Sequence, residues 1–351
     1  FLDYEIPFIK VLADIEFVGV NINVKRLAKL SKEFHKIITD IQARIYKLIE
    51  KEINLNSPMQ LREVLFNELG LKPNKKTKTG EFSTDSQTLQ GIVDQHDVVE
   101  LILLYRFYSK LQTTYIDALP DLIDEGTKRI HTSYNHVGTS TGRLSSSSPN
   151  LQNIPIKTSE GKRIRDSFTS ANKSKLIMSA DYSQIELRLL AHFSLDPLMV
   201  ESFNANDDIH SITAGEIFNI EKGKVSEDQR RLAKTINFGI LYGIGSKRLS
   251  QQIKQDSKTA KSFIEKYFNK YNSVQSYFQK TIDDTRSKGY SETILNRRRY
   301  LPDINSNNFM LRAAGERAAI NSPIQGSAAD IIKMAMILIN KNKNLLEHCS
   351  M

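Results

Sequence analysis

Asp181-Tyr182-Ser183-Gln184-Ile185-Glu186-Leu187-Arg188 is the stretch on which the reading of this chain turns. It follows Lys175-Leu176-Ile177-Met178-Ser179-Ala180, a short apolar run that reads as a buried strand ending at Asp181. Residues 185–193 continue with helical spacing. A carboxylate at the exposed end of a buried strand suits Mg²⁺, which takes one or two carboxylates plus substrate phosphate oxygens. The same side chain would also serve as a helix cap, and the segment by itself leaves both readings open.

Toward the C-terminus, Ser226 with Gln229 three residues later is a capping-box pattern, opening a helix that runs to about residue 241, where Gly243 and Gly245 stop it. On this helix Arg230, Lys234, Phe238 and Tyr242 follow in four-residue steps, which keeps them on one slowly drifting face. Two cations ahead of two aromatics suit a ligand with a polyphosphate at one end and a flat base at the other. A core stripe with solvated charges is the alternative, and it does not explain why cations and aromatics share a face. Toward the N-terminus lie Thr141-Gly142-Arg143-Leu144-Ser145-Ser146, then Pro149-Asn150-Leu151-Gln152-Asn153-Ile154-Pro155, then Lys157, Lys162, Arg163 and Arg165. Hydroxyls, amides and guanidinium groups in a loop are the inventory for phosphate, sugar and minor-groove contacts, or else a plain surface loop.

The N-terminal third is helical in pattern. Leu27, Leu30, Phe34, Ile37, Ile41, Ile45 and Leu48 mark one amphipathic helix, roughly 40 Å long at ~1.5 Å per residue. Ser57-Pro58 supplies a cap and first-turn proline for a second helix, with Gly70 as its stop. A loop carrying Lys72, Lys75, Lys76, Lys78 and Gly80 follows, and helical pattern resumes over 84–123: a helical hairpin with a lysine-bearing tip. Residues 129–134 alternate like a strand, and 327–340 read as an apolar helix.

Composition bounds the class. Of 351 residues 40% are hydrophobic, and 49 Lys+Arg stand against 40 Asp+Glu, a formal charge of +9. That is a globular chain with room for two or three domains. Residues 1–130 carry 18 basic and 19 acidic side chains, net −1, whereas 131–351 carry 31 and 21, net +10. The second part is polyanion-seeking, or merely a solvated basic surface. A single cysteine, Cys349, excludes a disulfide framework, and seven histidines without Cys partners exclude a structural zinc cluster, so any metal is expected on oxygen ligands. No apolar run approaches the ~20 residues needed to span a bilayer. The chain begins at Phe1 and reads as an intracellular-type soluble piece of something longer.

These motifs together resemble those of the family A DNA polymerases, of bacterial polymerase I type, over nearly the whole chain. Arg-x3-Lys-x3-Phe-x3-Tyr-Gly from Arg230 and the Asp181–Arg188 octet stand in the right order. They are joined by Asp208-Ile209-His210, by Arg297-Arg298-Arg299-Tyr300-Leu301-Pro302, and by Glu316-Arg317-Ala318-Ala319-Ile320-Asn321-Ser322-Pro323-Ile324-Gln325-Gly326. The resemblance implies a mainly helical α+β right-hand fold, its palm built on an antiparallel sheet. Residues 1–24 would be a linker leading into the palm, 25–130 the thumb, 131–194 the first part of the palm, 195–299 the fingers, and 300–351 a truncated second part of the palm.

It also implies a set of roles. Asp181, with Tyr182 beside it, would ligate two Mg²⁺ ions, one acidifying the primer 3′-hydroxyl and one holding the departing pyrophosphate. Arg230, Lys234 and His210 would hold the triphosphate, Lys234 also protonating the leaving group. Phe238, Tyr242, Glu186 and Gln184 would line the nucleotide site. Glu186 would crowd the sugar 2′ position and exclude ribonucleotides. Arg143 and Gln325 would touch the minor-groove face of the primer terminus, where every correct pair offers acceptors. Asn153, Lys157, Arg317, Asn321, Lys75 and Lys76 would add DNA contacts. The implied partners are primer-template DNA and dNTPs, with no membrane, in a monomer located in a bacterial cytoplasm near the nucleoid or in an organelle.

The chain departs from the pattern at one point. The family carries a second metal-binding aspartate in a His-Asp-Glu turn after the helix that holds Asp330, and no such turn occurs in these residues; His96-Asp97 is followed by Val98. The expectation is a polymerase whose 351-residue piece is inactive or strongly impaired, the alternative being a DNA-binding module without catalysis. Asp3-Tyr4-Glu5 imitates an exonuclease motif but is read as linker.

Overall fold

The computed structural model describes residues 2–73, 77, 80–170, 172, 174–221 and 223–351. It is mainly helical, with short two-stranded pairs, and divides into two compact units. One comprises Phe1–Asp14, Tyr134–Ser145 and Ser179–Met351; the other comprises Ile15–Ser133 and Ser146–Met178.

The second unit is built around the helix Val24–Ile49. The Asn23 side chain caps it by accepting from Arg26 N, and Leu27, Leu30, Phe34, Ile41 and Ile45 are buried along one stripe, as their spacing requires. Leu27, Leu30 and Phe34 pack with Leu111, Tyr115, Ile130 and Ile164, while Ile41 and Ile45 join Leu61, Leu65, Leu89 and Ile102. Each such side chain contributes about 1.5–3 kcal/mol when fully buried. Ser57 caps Pro58–Arg62, and Gly70 at φ +65 ends the helical run. The helix expected over 84–123 is interrupted: Ser86–Gln90 and Asp97–Leu111 are separate, because the His96 ring accepts from Val98 N and starts a new helix. That capping role accounts for His96-Asp97 without any metal chemistry. Lys75, Lys76 and Lys78 lie outside the described residues; Lys72 is exposed, its backbone paired with the Gln95 amide. Of the strand expected over 129–134, Ser133 and Tyr134 open the short strand Ser133–Asn135, while Ile130 forms isolated bridges to Val20 and Ile123.

The first unit packs Leu187, Leu190, Ile209, Ile217, Ile236, Ile240, Tyr267 and Ile324 into one core. These come from the helices Ile185–Ser194, Ile209–Phe218, Glu227–Leu241, Ser257–Lys270 and Phe309–Lys341. The last is far longer than the apolar stretch over 327–340. It starts from an Asn308 cap and passes through Pro323, which leaves the Ala319 carbonyl without its i+4 donor; the neighbouring Ser322 hydroxyl donates back to Ala318 O. The antiparallel pair Tyr290–Glu292 and Arg298–Tyr300 sits in the same unit.

Two sequence expectations change here. The run 175–180 forms no strand: Leu176 is 93% and Met178 86% exposed, and no strand element includes them. Apolar composition signals a wish for burial, but a strand exists only where a neighbouring backbone accepts its hydrogen bonds, and no described strand lies beside this run. Residues 5–18, read as part of a linker, form the helix Glu5–Val18. Its first residue is buried: the Glu5 carboxylate accepts from Lys333 Nζ at 2.8 Å, from Arg297 and from His136, while Arg297 also bridges to buried Asp330 at 2.8 Å. Burial pushes the Glu5 carboxyl upward, and the hydrogen bonds from Lys333, Arg297 and His136 overcome this and hold it down to about 2.

Candidate active site

Gln184, in the left-handed region at φ 55, is the N-cap of Ile185–Ser194 and makes no side-chain cap bond. Asp181 is therefore not the helix cap. The turn at Gln184 places Glu186 in the first helical turn, where a negative charge meets the positive end of the helix dipole. Glu186 is only 7% exposed, and its carboxylate is gripped from two sides: Arg143 Nη2 donates to Oε1, and the Tyr242 hydroxyl donates to Oε2 at 2.7 Å. Burial and this acceptor push the Tyr242 phenol up to about 12. Gln325 faces the same phenol.

Tyr242 is the C-cap of Glu227–Leu241, the helix opened by the expected Ser226/Gln229 capping box. The chain then turns at Gly243, φ +65, where a Cβ would also come within 2.9 Å of Arg317 Cγ; no other residue meets both demands. The Tyr242 ring stacks on Phe238 at 6.3 Å between centroids, and Phe238 lies 5.9 Å from His210. A continuous line of contacts thus runs from Arg143 through Glu186, Tyr242 and Phe238 to His210.

At the other end of the helix Arg230 forks onto Asp208, with Nε to Oδ2 at 2.6 Å and Nη2 to Oδ1 at 3.3 Å. Asp208 also caps Ile209–Phe218 by accepting from His210 N, so one carboxylate ties the two helices. Burial raises the Asp208 carboxyl, but Arg230 and Ser211 hold it down to about 2. His210, 2% exposed, is pushed down to about 4 by burial, with Lys234 and Arg230 opposing its charge as well; it is neutral near pH 7. Lys234 is exposed and forms no hydrogen bond or ion pair among the described residues. A free ammonium beside a guanidinium near a helix N-terminus, with an aromatic pair farther along, can seat a polyanion joined to a flat ring.

The other expected residues fall as follows. Arg317, Asn321 and Gln325 lie on Phe309–Lys341 in the same unit, and Asn321 Oδ1 is buried without a hydrogen-bond partner among the described residues. Asp181 and Tyr182 are exposed and form no hydrogen bond or ion pair among the described residues. No group of three or more His, Cys, Asp or Glu able to hold a metal occurs among those residues. Asn153 and Lys157 belong to the other unit; the Asn153 carbonyl accepts from the Tyr115 hydroxyl at 2.5 Å, and Lys157 is exposed. Sequence reasoning passed over Asn237, whose signal is a polar residue at a buried helix position between Ala233 and Ile240.

The family model for DNA polymerase family A matches residues 24–348, and the chain belongs to this family. Among its relatives are DNA polymerase I of Bacillus caldotenax, 46% identical over 97% of this chain and 39% of that protein, and the thermostable DNA polymerase I of Thermus aquaticus, 46% identical over 95% and 40%. A solved structure of the POL domain of Pol1 from M. smegmatis, in complex with DNA primer-template and dNTP, superposes with a TM-score of 0.91 at 41% identity, covering 98% of this chain and 61% of that one. The fold is accordingly the right-hand polymerase fold. The chain spans about two-fifths of the length of the curated relatives it matches. Family A DNA polymerases use divalent metal ions. No described helix is long and apolar enough to cross a membrane.

Proposed function

We propose that this chain carries the polymerising core of a DNA-directed DNA polymerase, which extends a primer 3′-hydroxyl with deoxynucleotides from dNTPs on a DNA template, in replication or repair. The observation that carries this reading is the line from Arg143 through Glu186, Tyr242 and Phe238 to His210, with Arg230 tied in through Asp208. In it Arg230, Lys234 and neutral His210 bind the triphosphate, Phe238 lies against the incoming base, and Tyr242 stands beside the template base. Lys234, exposed and unpaired, is the group suited to give a proton to the pyrophosphate. Glu186, fixed by its two donors, occupies the space a ribose 2′-hydroxyl would need. Arg143, Gln325, Arg317 and Asn321 serve the duplex near the primer terminus; Asn153, Lys157, Lys75 and Lys76 serve its backbone elsewhere. In this reading 25–130 is the thumb, 131–194 and 300–351 the palm and 195–299 the fingers of a monomer working in the bacterial cytoplasm beside the nucleoid.

For the metal, the donor set fits only in part. Asp181 and the Tyr182 carbonyl suit one Mg²⁺ completed by substrate oxygens, whereas two bridged ions need a second carboxylate, and no group of three or more His, Cys, Asp or Glu able to hold a metal occurs among the described residues. The second reading is a DNA-binding module without catalysis.

Primer extension by the full-length gene product separates the two. Template-dependent dNTP addition that requires Mg²⁺ and is lost in Asp181→Ala and Lys234→Ala supports the polymerase. DNA binding with no extension under any divalent ion supports the module.

A further inference from the structure

Asn237 lies on the buried side of Glu227–Leu241, 1% exposed, and its amide Nδ2 stands 2.9 Å from His210 Nδ1. The other end of the amide is held too: Oδ1 is 3.2 Å from the Thr213 hydroxyl, which in turn lies 3.3 Å from the Tyr271 hydroxyl. All four side chains are buried, so this is a polar chain inside the core that ends on the histidine; the Thr213 hydroxyl also lies 2.8 Å from Ile209 O, so its single proton is shared between two acceptors. An imidazole ring has two nitrogens, and in the neutral form one carries the proton and the other a lone pair. An N–H aimed at Nδ1 requires the lone pair there and leaves the proton on Nε2. Nε2 makes no hydrogen bond among the described residues. We propose that Asn237 is a positioning residue that fixes His210 as the neutral Nε2–H tautomer, so that the ring donates to a phosphate oxygen of the incoming nucleotide without carrying a charge.

This rests on the triphosphate-binding role assigned to His210 above. The chemical logic is that an unprotonated Nε2 would meet a phosphate oxygen lone pair to lone pair, and an imidazolium would have to form before the nucleotide arrives, at a buried site facing the cations Arg230 and Lys234, with Asp208 as the opposing charge among the described residues. An amide donor at Nδ1 avoids both. Leu or Met in place of Asn237 would fill the space equally well but leave the tautomer free.

The test has two arms. In the full-length protein labelled with ring-¹⁵N histidine, the wild-type His210 signals, assigned by their loss in His210→Gln, should be those of the Nε2–H tautomer throughout pH 6–8. The readout does not depend on polymerase activity, so it stays interpretable if the functional reading fails. Nδ1–H signals, or a protonated ring in that range, overturn the proposal. In the second arm, Asn237→Asp replaces the donor by an acceptor, which should move the proton to Nδ1 and raise the His210 pKa by at least about one unit. The KM for dNTP should then rise about tenfold, the order expected for a lost hydrogen bond to a charged group, and become pH-dependent, with kcat changed less. In a His210→Ala background the same substitution should change KM by less than about twofold. An equal effect of Asn237→Asp with and without the His210 ring indicates a merely structural residue and overturns the proposal.

Discussion

The Tyr242 hydroxyl donates to the Glu186 carboxylate at 2.7 Å, so the C-cap residue of one helix holds the first turn of another. With Arg143 on the other oxygen, the Glu186 side chain is fixed from both sides. A held carboxylate is a wall, not a swinging gate, and its effect on a substrate is set by volume before charge.

Glu186→Ala should therefore raise ribonucleotide incorporation at least tenfold relative to deoxynucleotide in the full-length protein, the order that removal of a steric contact in a pocket gives. Tyr242→Phe removes one restraint but leaves the Arg143 bond, and should loosen discrimination less. Competing rNTP and dNTP single-turnover rates measure both; unchanged sugar discrimination in Glu186→Ala would count against the assignment.

His210 couples stability to pH. Its folded value of about 4 lies below the ordinary 6.5, so below 6.5 the unfolded chain takes up a proton that the folded chain refuses. Its contribution is complete above pH 6.5 and lost as pH falls toward 4, amounting to about 3 kcal/mol across that window. Urea midpoints should fall between pH 6.5 and 4, and His210→Gln should flatten that part of the curve. An identical slope in the variant would show that other groups carry the effect.

Asp208 does two jobs that substitution can separate. Asp208→Asn keeps a capping oxygen but loses the charge opposite Arg230, and because the pair is partly exposed the cost should stay under about 1 kcal/mol. Asp208→Ala loses the cap as well and should cost about 1 kcal/mol more. The Asp208 charge stabilises above pH 4 and is lost as pH falls toward its folded value of about 2, so the Asn variant should lose less stability between those limits. Denaturant midpoints of the two variants at pH 7 and pH 3 check the order.

Lys333 and Glu5 are 1% and 2% exposed. Lys333→Met removes one charged donor from the buried Glu5 carboxylate and leaves Arg297 on it, so it should destabilise by about 1.5–3 kcal/mol, whereas Lys333→Met with Glu5→Gln should recover part of the loss. Equal unfolding free energies for the single and double variants would exclude the pairing as the cause.

Much of the arrangement was legible because it depends on local chemistry. Ser226 and Gln229 announce a helix start that forms as a complete capping box, and the stripe from Leu27 to Ile45 buries as its spacing requires. The failures share a physical cause, dependence on distant partners. Residues 175–180 have strand-like composition, but strand formation needs another backbone beside them. The apolar helix expected over 327–340 extends back through Pro323 to Phe309, because tertiary packing carries the helix past the proline. Glu5 and Lys333 each look like ordinary surface charges, and only the fold brings them within 2.8 Å. At the site, the four-residue steps from Arg230 mark the row that the proposed function assigns to the nucleotide, while Asn237 stands off that row and gains meaning only when His210 is placed against it.

The Glu5–Lys333 bond also sets a schedule for synthesis. The two residues are 328 positions apart, and Ile15–Ser133 with Ser146–Met178 forms a separate unit encoded between them. At ~5–20 residues per second on the ribosome, Glu5 waits roughly 15–65 s for its lysine. Through that interval the opening helix leaves the ribosome with an acidic head and the apolar flank of Phe8, Val11 and Leu12 uncovered, while the inserted unit has all of its own residues long before Lys333 is made. The nascent chain thus carries its own folding order: the segment between the two residues has its partners first, and Glu5 and Lys333 meet after it.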